Sequence, residues 1–190
     1  MPDPNSEDLR KLHREVNQIV NQRFVLMTAA VTLFGVIIGW QIPRDTSSIR
    51  EIGSFTFAVS CFLMLMLFGL FMLTLQLSRM LRIFTTYLRM KGSQWEEDWA
   101  NYRKSFSYFG YTRALTLLFL MLGAFTAAFP FGLKLVFGVS ITSNRGAWIC
   151  GLLGVAYCLL VGLSGFLRWG QGEEKLQEKW RQVCQPQSKE

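Results

Sequence analysis

Charge in this chain is confined to blocks. Four stretches, residues 24–42, 53–77, 114–133 and 146–167, contain no Asp, Glu, Lys, Arg or His, and the segments between and flanking them carry every charged side chain. A bilayer demands this pattern, because each span must satisfy its own backbone groups and keep charge out of the hydrocarbon. About 20 apolar residues at 1.5 Å rise cross the roughly 30 Å core. A soluble domain of 190 residues, 51% hydrophobic, would instead spread polar side chains along every element. Four uncharged helices would leave it no amphipathic shell. The fold class read from the sequence is therefore all-α, a four-transmembrane-helix bundle with cytoplasmic helical extensions.

Counting cations gives an orientation. Only four of the 20 Lys and Arg residues, Arg44, Arg50, Lys134 and Arg145, fall between the first and second or the third and fourth spans. The others occupy the N-terminal segment, the middle segment and the tail, so the positive-inside rule places both termini in the cytoplasm. A polar N-terminal segment with no short apolar region and small-residue cleavage site precedes the first span, which is expected to stay in the mature protein. The net charge of +7 gives the inner face cations to offer anionic lipids.

The helices are expected to overrun the membrane on that side. Pro4, Asn5 or Ser6, then Glu7 and Asp8 make a helix start. Leu9, Leu12, Val16 and Ile19 follow at spacings of 3, 4 and 3, and nothing after them breaks the helix before the first span. Helical extensions are read over residues 6–23, 78–91, 93–109 and 170–183, the third opened by a Ser93–Glu96 capping box. Pro130 predicts a kink or a stop in the third span. Residues 131–142 read equally as an overrun helix, a re-entrant turn or an extended segment.

Three spans carry stripes of small residues. The first has Thr28, Thr32, Gly35 and Gly39; the third has Thr116, Gly123 and Ala127; the fourth has Gly151, Gly154, Cys158, Gly162 and Gly165. Small residues at these intervals let helix backbones approach closely in lipid. They serve packing within one bundle, packing between subunits, or the lining of a narrow pore.

The spans hold no ionisable group of the kind that proton-coupled carriers and voltage sensors place at membrane depth. A pore lined by Thr, Ser, Gly and apolar residues needs none. No phosphate loop, zinc-protease motif or nucleophile elbow occurs, and His13 sits on a charged helix as a solvated residue, so no catalytic residue is assigned. Cys61, Cys150, Cys158 and Cys184 show no CxxC spacing and read as small packing residues, with no metal and no cofactor expected.

Recognition chemistry concentrates in the middle segment. Arg79, Arg82, Arg89, Lys91, Arg103 and Lys104 interleave with the aromatic residues Trp95, Trp99 and Tyr102. Cations that neutralise phosphates beside rings that stack bases suit a nucleotide or single-stranded nucleic acid. The same cations also satisfy the positive-inside rule, and the aromatic stripe equally fits a small helical core.

The run over residues 23–40, RFVLMTAAVTLFGVIIGW, follows a charged helix and ends before Pro43. It resembles the first span of small four-pass membrane effectors of bacterial antiphage defence systems, of which the Hailong type is one. In such systems a partner enzyme makes a nucleotide or oligonucleotide signal and the effector compromises the envelope. The similarity covers the overall plan and that segment, about a tenth of the chain, and rests on no catalytic motif. It implies a homo-oligomer, with a tetramer favoured, in the bacterial inner membrane, under the control of a cytoplasmic signalling enzyme. The competing expectation is a membrane-anchored adaptor or scaffold that docks a cytoplasmic partner through its amphipathic helices.

Overall fold

The computed structural model describes residues 4–42, 51–52, 54–90, 111–138, 140–167, 178 and 180–181. Among these run four long helices: α1 (Pro4–Gln41), α2 (Ser54–Met90), α3 (Tyr111–Phe137) and α4 (Asn144–Leu167). All four are long and apolar enough to cross a membrane. The chain is an all-α integral membrane protein. The expected helix over 93–109 lies outside the described residues, as does most of the one over 170–183.

Two helices far exceed a bilayer. α1 has 38 residues and α2 has 37, about 55 Å each at 1.5 Å per residue, against a hydrocarbon core of roughly 30 Å. No break separates the charged N-terminal segment from the first span, because nothing in residues 20–24 interrupts the backbone ladder. The surplus lies at one end of the molecule, the head end, where α1 begins and α2 ends. There Leu88, Thr86 and Ile19 are buried, and the Tyr87 and Trp180 rings meet at a tilt of 51° with centroids 4.8 Å apart.

At the far end, Pro130 does not end the helix, which continues for seven residues beyond it. α3 runs through it to Phe137, leaving Leu135 and Val136 the most exposed large hydrophobic side chains among the described residues. The helix stops at Gly138, whose φ of +63° is open to glycine at little cost and whose N–H donates to the Lys134 carbonyl at 3.0 Å. Two short strands, β1 (Glu51–Ile52) and β2 (Ser140–Ile141), then pair in parallel, Glu51 opposite Ser140 and Ile52 opposite Ile141. Within 131–142, residues 131–137 are thus an overrun helix and Ser140–Ile141 a short extended segment. The pairing ties the chain entering α2 to the chain entering α4. Ser143 caps α4, its hydroxyl accepting from the Gly146 N–H at 3.1 Å.

α2 is the centre of the bundle. It packs on α1, α3 and α4, and α3 packs on α4, whereas α1 touches α3 only lightly. The core is built from Phe57, Leu63, Met64, Leu67 and Phe71 of α2 against Leu115 and Phe119 of α3 and Tyr157 and Val161 of α4. Ring pairs mark the seams: Phe71 with Phe119 at 5.4 Å, Phe57 with Phe131 at 6.0 Å, and Trp40 with Phe55 at 6.0 Å. Buried hydroxyls mostly satisfy themselves on the preceding turn, as Thr74 does on Leu70, Ser78 on Thr74 and Thr126 on Leu122. Ser60 differs: it is fully buried, and among the described residues its Oγ has no hydrogen-bond partner.

Candidate functional site

The small residues fall on two kinds of surface. On the α3–α4 seam, Gly123 lies directly under the Tyr157 ring and Gly165 directly against Thr116; a Cβ at Gly154 would sit 2.6 Å from that of Ala127. These glycines let two helices touch backbone to side chain, the close approach that small residues allow in lipid. Gly151 and Gly162, by contrast, have nothing within 4 Å of a Cβ. The split follows from helix geometry. Eleven residues make just over three full turns, so 154 and 165 share one face while 151 and 162 share its neighbour. Cys158 is half-buried between them.

On α1 the whole stripe is open. Thr28, Thr32, Gly35 and Gly39 are all exposed, and Gly35 and Gly39 have no heavy atom within 4 Å of a Cβ. Thr28 donates to the Phe24 carbonyl at 3.0 Å, leaving its oxygen lone pairs facing outward. Only 11% of the most apolar stretch of α1 is buried, against 33% for α2 and α3 and 22% for α4. The face with the small residues is the one that the rest of the protomer leaves uncovered.

At the head end, Arg79 is exposed on α2 and Arg82 is half-buried. The Thr85 and Thr86 hydroxyls both donate to the Arg82 carbonyl, at 3.2 and 2.7 Å. Arg89 lies in the last turn of α2. Lys91, Trp95, Trp99, Tyr102, Arg103 and Lys104 lie outside the described residues.

It does present a feature that sequence reasoning passed over. A groove of about 670 Å³ runs along α1 where the helix leaves the membrane, lined by Arg14, Asn17, Gln18, Asn21 and Gln22, with Leu77 of α2 across its apolar floor. The signal was present as amides recurring at spacings of 1, 3 and 1, a single helical face. Four amides and one guanidinium offer a dense array of donors and acceptors that suits an oxyanion. Among the described residues no three His, Cys, Asp or Glu side chains converge.

No protein-family model, no curated protein and no solved structure matches the chain.

Proposed function

We propose that this protein is a homo-oligomeric, channel-like effector of the bacterial inner membrane, with its termini and head in the cytoplasm. An anionic nucleotide or oligonucleotide, made by a partner enzyme of an antiphage system, binds the basic head and sets the gate. The observation that carries this reading is the open Thr28–Thr32–Gly35–Gly39 face of α1. Lipid gives no hydrophobic drive for helices to associate, so small faces are where packing gains are largest. A second copy seated on this face gains that packing, and a ring of copies surrounds a path that needs no intramembrane charge. The long head-end extensions of α1 and α2 carry cations at Arg14, Arg79 and Arg82, which supports ligand control from that side.

The test is conductance of purified protein in liposomes, with and without cyclic and linear oligonucleotides, alongside its mass in detergent. A symmetric ring that conducts is expected, a tetramer first. Charge reversal at Arg82, Arg89, Arg103 and Lys104 should remove ligand control and leave the ring intact. Protein that never passes ions in any ligand state overturns the channel.

The adaptor reading draws on one observation, the groove of α1, whose amide side chains over a mainly apolar floor suit a docked partner. Under that reading, substitutions at Asn17 and Asn21 lose a bound protein from membranes that never conduct.

A further inference from the structure

The cysteines of the membrane region are not equivalent. α2 and α4 run side by side in the same direction, and three contacts fix their register. Phe57 lies against Gly146, with its Cδ2 3.1 Å from where a Cβ would stand; the Met64 sulfur lies 3.9 Å from the corresponding point at Gly154; the Phe68 and Tyr157 rings are 6.4 Å apart. Each pair is offset by 89 or 90 positions. Cys61 and Cys150 are offset by 89 and fall between the first and second of these contacts. That offset sets the two cysteines level with one another across the α2–α4 seam. Both are free, Cys150 fully buried and Cys61 half-exposed. Cys158 stands eight residues along α4 from Cys150, about 12 Å at 1.5 Å per residue, and shares no such partner on α2.

We propose that Cys61 and Cys150 form a redox modification site, a dithiol that hydrogen peroxide converts to a disulfide bridging α2 and α4 at the far end of the bundle. This inference rests on helix register and is independent of the channel reading. Depth favours it: Cys150 lies two positions after Trp148, an exposed aromatic of the kind that sits at the membrane interface. A small peroxide reaches that level, while larger disulfide oxidants meet the lipid first.

The chemistry balances. The Cys61 sulfur, the more accessible of the two, attacks one peroxide oxygen; the O–O bond breaks and water leaves, carrying the thiol proton, to give a sulfenic acid. The Cys150 sulfur then attacks the Cys61 sulfur, the S–O bond breaks, and a second water leaves with the second thiol proton. Two thiols lose two electrons in all, and the peroxide takes them. A disulfide needs its Cα atoms about 4.4–6.8 Å apart and tolerates little misalignment, which confines the reaction to a pair already in contact.

The experiment uses full-length protein in liposomes, with Cys158→Ser and Cys184→Ser removing the other thiols. After hydrogen peroxide, free thiols are blocked with N-ethylmaleimide under denaturing conditions and the digest is read by mass spectrometry. The expected result is coordinate loss of label at both cysteines and a cross-linked peptide pair, reversed by dithiothreitol and absent in C61S and in C150S. Full labelling of both cysteines after peroxide overturns the proposal without any further variant. So does independent over-oxidation of either cysteine, or a Cys61–Cys61 link between copies.

Discussion

The Tyr157 hydroxyl of α4 donates a 2.9 Å hydrogen bond to the Phe119 carbonyl of α3, across the best-packed seam of the bundle. Its ring reaches that carbonyl because Gly123, one turn further along α3, presents no side chain to block it. Tyr157→Phe should therefore cost about 0.6 kcal/mol and at most about 1.7, the range for hydrogen bonds between helices in membranes. Gly123→Ala should cost more, about 1–3 kcal/mol, since the added methyl meets the ring itself and forces the helices apart. Thermal unfolding of the two variants in the same detergent checks the order. A Gly123→Ala protein as stable as wild type would mean the seam is not closed as described.

The two rows of small residues on α4 should respond oppositely to bulk. Gly154→Val drives side-chain atoms into Ala127 and should destabilise by about 1–3 kcal/mol. Gly151→Val and Gly162→Val enter open space and should change protomer stability by less than about 0.5 kcal/mol. Unfolding midpoints measured on the three single variants decide it.

α1 offers a separate test, of association. Gly35→Leu and Gly39→Leu meet no neighbour within the protomer, so its unfolding should be unchanged. If copies pack through this face, both variants should shift the mass measured by light scattering toward that of one chain. Unshifted mass would place the subunit contact elsewhere.

Ser60 carries a buried hydroxyl without a hydrogen-bond partner among the described residues, whereas the Ser78 hydroxyl donates to the Thr74 carbonyl at 2.7 Å. Removing an unmet polar group relieves a desolvation cost, and removing a met one forfeits a bond. Ser60→Ala is expected to be neutral or to stabilise by up to about 1 kcal/mol, and Ser78→Ala to destabilise by about 0.5–1.5 kcal/mol. Opposite shifts in melting temperature are the signature.

The tilted ring contact of Tyr87 with Trp180 joins the head-end extension of α2 to the C-terminal segment. A double-mutant cycle with Tyr87→Ala and Trp180→Ala should give a coupling of about 0.5–1.5 kcal/mol, the usual worth of an aromatic pair beyond its buried area. Coupling near zero would mean that the rings neighbour each other without contributing to the head.

What was legible in the sequence was what each segment could establish alone. The exclusion of charge from four stretches is a local requirement of the bilayer, met residue by residue, so the four helices could be read without knowing any contact. The continuity of α1 from the charged segment into the membrane was legible for the same reason, since it needed only the absence of a breaker. The fate of Pro130 was not. Proline withdraws the amide that would bond the Thr126 carbonyl, but whether a helix survives this depends on neighbours that restore the lost satisfaction, and here α3 continues to Phe137.

The small-residue stripes mark the boundary most sharply. Spacing of 3 and 4 placed Gly35 with Gly39, and Gly154 with Gly165, each on one face of a helix. It could not say which face met a neighbour, because a glycine facing lipid and a glycine facing another helix have the same sequence periodicity. Packing decided that Gly154 and Gly165 close the α3–α4 seam and that the α1 stripe stays open. The same holds for Cys61 and Cys150, far apart in the chain and brought level only by the register of two parallel helices. The sequence by itself determined which segments enter the membrane, since that depends on each segment's own transfer into hydrocarbon. The tertiary structure decided which of their faces are spent inside the protomer, since that depends on the shapes of helices meeting one another.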